Sequence, residues 1–243
     1  MIWLSDMKTQ LKDIDVVILC GGKGTRLHPV VSDRPKGLAR FGNKPFLDIL
    51  IEYVISQGFR RIILCVGYMK EHIIDYYKHR DDISISFSEE YEPFGTGGAV
   101  KNAKSLIQSR TFLVMNGDSI CQVDLHDFYQ FHINEGVLLS MVLARKTECQ
   151  DYGSVLLNNK SEIISFTEKR ANTNQCLINA GVYCMQQDVF ACMPGASKFS
   201  LENDFFPTLT GEQMKGFIIN GALIDIGTPD RYEKAVHLMG GKQ

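Results

Sequence analysis

Apolar residues along the first half of the chain follow two alternating rhythms. Residues 14–20 are a short run rich in Val and Ile that stops at Gly21 and Gly22, the pattern of a strand buried on both faces. From Pro45 the side chains of Phe46, Leu47, Leu50, Ile51, Val54 and Ile55 recur at helical spacing. Pro45 suits a first helical position and Gly58 a C-terminal cap, so a helix is predicted between them. Residues 61–66 read as a strand, 69–79 as a helix, 83–88 as a strand and 97–108 as a helix. Residues 112–116 make a fourth strand that breaks at Gly117-Asp118, and a helix over 125–135 follows. This alternation predicts an α/β fold of Rossmann-like type, a mixed, mostly parallel sheet flanked by helices, with ligands bound beyond the carboxyl ends of the strands. After Val137 the rhythm changes to strand-like pieces over 137–144, 154–157, 163–166 and 178–184, with a closing helix over 229–239. No linker or repeat separates the halves, so one domain is expected over 14–243, preceded by an extension over 1–13.

Composition narrows the class of ligand. A chain of 243 residues, 44% of them apolar, can bury the core of one large domain. Its formal charge of -2 supplies no global attraction to nucleic acid or an anionic membrane, so neither is expected as a partner and phosphate recognition must be local. No uninterrupted apolar stretch approaches the ~18 residues of a membrane span, and the apolar start over residues 1–4 is too short for a signal sequence. The seven cysteines include no C-x-x-C pair, and Cys20, Cys65 and Cys184 lie inside apolar runs as small hydrophobes. Reduced thiols and a cytoplasmic location are the expectation.

Residues 19–27, Leu-Cys-Gly-Gly-Lys-Gly-Thr-Arg-Leu, follow a strand with a glycine-rich loop carrying two cations and a hydroxyl. Glycines at Gly21, Gly22 and Gly24 let backbone N–H groups close on an anion, and Arg26 can hold two phosphate oxygens in a planar fork. The loop matches neither the P-loop nor the dinucleotide fingerprint, and a surface turn is the alternative. Arg34-Pro35-Lys36 adds a cation on a restricted backbone, the alternative being a solvated lysine. Asp118 and Asp225 each end a strand-like run, where two carboxylates could share a hydrated metal or simply stabilise turns.

Together these segments resemble the sugar-1-phosphate nucleotidyltransferases, whose signature G-G-x-G-T-R-L is followed by P-K. Further matches run through almost the whole chain: residues 93–99 (PFGTGGA), 116–118 (NGD), 166–169 (FTEK), 179–183 (NAGVY) and 225–229 (DIGTP). Within that family the stretches at 30–36, 44–47 and 95–99 resemble the D-glycero-D-manno-heptose 1-phosphate guanylyltransferases, with a departure at Gly37-Leu38-Ala39-Arg40.

The resemblance implies a reaction between a nucleoside triphosphate and a sugar 1-phosphate that gives a nucleotide sugar for surface glycans and releases pyrophosphate. It divides the domain into a nucleotide-binding part over about 14–136 and a small sugar-binding subdomain over about 137–243. It implies Mg²⁺ on Asp118 and Asp225, with Arg26, Lys36 and Asp118 catalytic. Leu19, Gly21, Gly22, Gly24, Thr25, Arg26, Glu90, Pro93, Gly95 and Thr96 would bind the nucleotide, and Gly153, Glu168, Lys169 and Asn179 the sugar phosphate. A carboxylate at Glu90 or Glu92 could accept from the Watson–Crick N–H groups of guanine, a hint of GTP, although two solvated glutamates in a loop fit the residues equally well. An ionised phosphate needs no proton removed, so the six histidines are expected to be structural or exposed. A hexose-1-phosphate enzyme such as a mannose-1-phosphate guanylyltransferase and a non-catalytic nucleotide-sugar sensor are the alternatives, and a homo-oligomer is left open.

Overall fold

The computed structural model describes residues 11–147, 154–167 and 176–240. Strand β1 (Asp15–Leu19) lies between β4 (Arg61–Val66) and β6 (Thr111–Asn116), and β5 (Ser84–Glu89) is the edge beyond β4, all parallel. The sheet continues from β6 through β11 (Cys176–Gln186), β8 (Leu139–Lys146), β12 (Gly211–Ile219), β10 (Glu162–Thr167) and β9 (Ser154–Leu157). Pairing is antiparallel on both sides of β11, parallel between β8 and β12, and antiparallel again through β10 to β9. Only β11 and β10 therefore run against the rest, which is the mixed, mostly parallel sheet that the residue pattern predicts.

Side-chain alternation in β1 explains the two helical layers. Val16 and Ile18 point into one core with helices α1 (Phe46–Ser56), α2 (Lys70–Tyr77) and α4 (Leu125–Glu135). Val17 points into the other, against α3 (Gly95–Asn102), α5 (Val189–Cys192) and the turns over 199–209. Helix α1 buries Phe46, Leu47, Leu50, Ile51 and Val54, each fully enclosed and each contributing about 1.5–3 kcal/mol of apolar burial. Pro45 sits one position earlier than expected, as an extended N-cap residue, because its ψ of 151° cannot continue into a helical turn. Gly58 ends the turn at a φ of 98°, a conformation costly for any residue with a Cβ. Helix α4 is closed at both ends: Asp124 accepts from the Asp127 N–H at 2.9 Å, and Gly136 adopts a left-handed φ of 61°.

The structure departs from expectation in four places. Strand β12 is unanticipated because its sequence starts polar and carries Gly216 mid-strand; a Cβ there would come within 2.6 Å of Leu143 and 2.8 Å of Leu157, so the glycine serves packing. A π-helical turn (Leu201–Phe205) runs into a 3-10 turn (Phe206–Thr208), and two short strands, β7 (Ser119–Cys121) and β13 (Leu223–Asp225), pair outside the main sheet. Cys176 is disulfide-bonded, against the expectation of reduced thiols throughout, whereas Cys20, Cys65 and Cys184 are buried and free as expected. The two-residue strands β2 (Arg40–Phe41) and β3 (Lys44–Pro45) and the closing helix α6 (Pro229–Gly240) share a small third core of Phe41, Phe46, Ile226 and Ala235. No helix among the described residues is long and apolar enough to cross a membrane.

Candidate active site

Beyond the carboxyl ends of β1, β4 and β6 lies a cleft of about 340 Å³. Its floor is the glycine-rich loop after β1. Gly21 closes against β4: its carbonyl accepts from Tyr68 N–H at 2.9 Å, and a Cβ there would lie 2.9 Å from both the Glu90 Oε1 and the Gly67 nitrogen. Gly24 turns with φ 60° over the aliphatic stem of Lys36, which a Cβ would meet at 3.1 Å. Buried Leu27, whose N–H donates to the Gly24 carbonyl at 2.8 Å, pins the far end of the loop and leaves Lys23, Thr25 and Arg26 exposed on the cleft wall.

Three distant segments meet at the cleft mouth. Pro35, extended at ψ 147°, starts a 3-10 turn (Lys36–Leu38) whose Gly37 and Leu38 are buried, so the Gly37–Arg40 stretch that departs from the heptose-type pattern packs against Leu47 and Cys20. The Lys36 Nζ donates to the Asp118 Oδ2 at 2.7 Å, with 13% of the lysine side chain exposed against 41% of the aspartate. Asp118 follows Gly117, whose N–H donates to the Leu19 carbonyl at 2.9 Å and which has no room for a Cβ over that oxygen. The Asp118 carbonyl accepts from Ile226 N–H at 3.0 Å, and Asp225 pairs with Ser119 across β13 and β7, so both carboxylates stand at one corner. One oxygen of Asp225 accepts from Gly227 N–H, and the other takes Arg231 Nη1 at 2.7 Å. Sequence reasoning missed Arg231. It lies in the first turn of α6, and only the tertiary docking of that helix reveals its partner.

The opposite wall is formed by Glu90, Pro93, Gly95, Thr96 and Ala99. Glu90 Oε2 accepts from Phe94 N–H at 3.0 Å, and burial raises its carboxyl above the usual range. Cys20 also lines the cleft, but burial, reinforced by the nearby Glu90 charge, pushes its thiol up to about 12. It stays protonated and is no nucleophile.

The cleft thus brings together Leu19, Gly21, Gly22, Gly24, Thr25, Arg26, Lys36, Glu90, Pro93, Gly95, Thr96 and Asp118, with Asp225 reached through Gly227. It also includes Lys23, one of the loop's two cations, and Asn116, which opens the 116–118 match, neither of which is assigned a site role by the sequence. Asn179 does not line it; its amide donates to Tyr183 Oη at 2.8 Å and accepts from Gly181 N–H. Gly153, Glu168 and Lys169 lie outside the described residues. His132 is buried between Ser140 Oγ at 2.9 Å and Gln186 Nε2 at 3.2 Å, and burial lowers it to about 4, a neutral structural residue away from the cleft.

The donor set at the corner suits a hard cation. Asp118 engages one oxygen with Lys36 and is half exposed, and Asp225 stands beside it. Magnesium typically takes one or two protein carboxylates and completes its shell with phosphate oxygens and water.

Known proteins carry the same arrangement of chain and fold. The nucleotidyl transferase family model matches residues 15–240. A D-glycero-alpha-D-manno-heptose 1-phosphate guanylyltransferase of Aneurinibacillus thermoaerophilus is 39% identical over 224 residues, 91% of this chain and 96% of that protein. One from Campylobacter jejuni is 35% identical over 90% of this chain and 97% of its own length. The crystal structure of HddC from Yersinia pseudotuberculosis complexed with GMP-PN superposes with a TM-score of 0.82 at 37% identity, covering 93% of this chain and 99% of that one. With its glycine-rich cleft and a match over nearly its whole length, the chain belongs to the nucleotidyl transferase family.

Proposed function

We propose that this protein transfers a guanylyl group from GTP to D-glycero-α-D-manno-heptose 1-phosphate, giving a GDP-heptose and pyrophosphate. The observation that carries this reading is the contact of Lys36 with Asp118 above the glycine-rich loop, in a chain similar over 90% or more of its length to two heptose 1-phosphate guanylyltransferases. A phosphate oxygen of the sugar attacks the α-phosphorus in line, forming one P–O bond as the α–β phosphoanhydride breaks. That nucleophile is already ionised, so the barrier is charge repulsion between two anions. The backbone of Gly21, Gly22 and Gly24 cradles the triphosphate, with Leu19 and Thr25 beside it, and Arg26 neutralises the departing pyrophosphate. Lys36 stands between the reacting phosphates and stabilises the charge that builds on them. Asp118 and Asp225 hold Mg²⁺, which when bound supplies Lewis-acid stabilisation of phosphate oxygens. Glu90 accepts from the guanine edge while Pro93, Gly95 and Thr96 bound the base, and the family resemblance assigns recognition of the sugar phosphate to Gly153, Glu168, Lys169 and Asn179. We place the reaction in the cytoplasm, where nucleoside triphosphates are available.

The test is pyrophosphate release with Mg²⁺, GTP, CTP, UTP, ATP and dTTP each being offered with heptose 1-phosphate, mannose 1-phosphate and glucose 1-phosphate. The expected result is turnover with GTP and the heptose ester at least ~10-fold above every other pair in kcat/KM, the order of discrimination that one well-placed hydrogen-bonding site gives. A preference for mannose 1-phosphate would move the chain to the hexose enzymes. Absence of turnover from folded protein that binds GTP would make it a sensor.

A further inference from the structure

The glycines of residues 95–98 are shaped by a second contact besides the cleft. Gly97 and Gly98 N–H groups donate to the Phe199 carbonyl at 3.0 and 3.2 Å, and Phe199 N–H returns a bond to the Phe94 carbonyl at 3.0 Å. A Cβ on Gly95 would lie 2.6 Å from the Phe199 carbonyl oxygen, one on Gly97 would enter the Phe199 ring, and one on Gly98 would strike the Ser197 carbonyl. The π-helical turn Leu201–Phe205 is thereby docked on the first turn of α3. π-Helical turns are uncommon and recur at functional sites.

At the centre of this docking is Glu202. Its Oε2 accepts from Thr96 Oγ1 at 2.7 Å and from Ser200 Oγ at 2.8 Å, while Thr96 Oγ1 itself accepts from Leu201 N–H at 2.8 Å. Its Oε1 faces Tyr183 Oη at 3.5 Å, and that fully buried phenol accepts from the Asn179 amide at 2.8 Å. Thr96 lines the cleft on the nucleotide wall. Asn179 lies on β11, two residues before Gly181, which packs on the cleft residue Asn116. The chain Thr96–Glu202–Tyr183–Asn179 therefore crosses from the first half of the molecule to the second through one carboxylate that is not among the residues lining the cleft.

We propose that Glu202 is a positioning residue that couples the nucleotide wall of the cleft to the β11 segment packed behind Asn116, so that seating the nucleotide against Thr96 sets the position of Asn179, the residue assigned above to the sugar phosphate. This rests on the proposed function for the identity of the two substrates. A carboxylate suits the place because it can accept from the hydroxyls of Thr96, Ser200 and Tyr183 at once, whereas an amide must turn a donor toward at least one of them.

The test is a mutant cycle on the full-length enzyme, read as kcat/KM for GTP and for the sugar 1-phosphate. With Glu202 present, the combined effect of Thr96→Val and Asn179→Ala is expected to differ from the product of the single effects by at least ~3-fold, as coupled residues do. In a Glu202→Gln background, and separately in a Tyr183→Phe background that retains the ring, the same two changes are expected to multiply. A merely structural glutamate would lower Tm in Glu202→Gln and leave the non-additivity intact, which overturns the proposal, as does simple multiplication in the wild-type background. If the wild-type enzyme neither turns over nor gains thermal stability from GTP, the proposed function fails first and takes this coupling with it.

Discussion

The two halves of the molecule build their share of the cleft in different ways. In the first, four parallel strands deliver their carboxyl ends to one edge, and contacts along that edge are mostly backbone: Gly21 against Tyr68, Gly117 against Leu19, Gly24 over Lys36. In the second, strand direction reverses at β11 and again at β10, and the side chains of Glu202, Tyr183 and Asn179 link the segment nearest the cleft to Thr96 of the first half. Backbone contacts impose glycine and leave a signature in the sequence. Side-chain networks impose only polar residues at unrelated positions and leave almost none.

The comparison breaks most easily at the charged corner that joins the halves. Asp118→Asn is expected to lower kcat at least ~100-fold with little loss of stability, since the carboxylate is half exposed, and Asp225→Asn to act in the same direction. Retention of Mg²⁺-dependent turnover in both variants would remove them from the metal site. Lys36→Gln is expected to lower kcat by ~10–100-fold with a smaller change in KM, because its contribution grows as charge shifts in the transition state. A change confined to KM would make it a ground-state binding residue.

Stability measurements sharpen the contrast. At the seam between the halves, His132 of α4, packed on Ser140 and Gln186 of the second half, carries a pKa of about 4 when folded against about 6.5 unfolded, because its burial disfavours the charged ring. The unfolded chain therefore binds the proton first, and stability from this residue, complete above pH 6.5, declines as pH falls toward 4, by on the order of 3 kcal/mol. Urea titrations of His132→Gln and wild type at several pH values check this: the variant's stability should vary less across that window. Gly98→Ala is expected to cost ~1–3 kcal/mol, because the new methyl meets a backbone carbonyl that cannot step aside. Gly22→Ala, where a Cβ meets nothing, is expected to change stability by less than ~0.5 kcal/mol while affecting nucleotide KM. Equal losses in both glycine variants would dissolve the distinction between a glycine kept for docking and one kept for ligand approach.

How far the fold was legible follows the same division. The spacing of Leu47, Leu50, Ile51 and Val54 gives α1 to within a residue, and residues 61–66 and 125–135 coincide with β4 and α4. These elements carry their own periodicity and their own caps. Strand β12 was illegible because its mid-strand glycine is accounted for only by Leu143 and Leu157 on other strands, and the π-helical turn because nothing local distinguishes it from a loop. Within the cleft, Gly21, Gly24, Lys36 and Asp118 announced themselves by motif. Arg231 and Glu202 did not, since each is defined by a partner supplied from a distant segment.

The pairing of β13 with β7 also orders events during synthesis. The glycine-rich loop, Lys36 and Asp118 are all translated before the strand that carries Asp225, and the core beneath that strand joins Phe41 and Phe46 to Ile226 and Ala235. A growing chain on the ribosome can assemble the parallel strands early, yet its second carboxylate arrives only with the closing segment. The corner is complete only once β13 is made, so a chain stopped before it carries the glycine-rich loop, Lys36 and Asp118 without the second carboxylate of the proposed metal site.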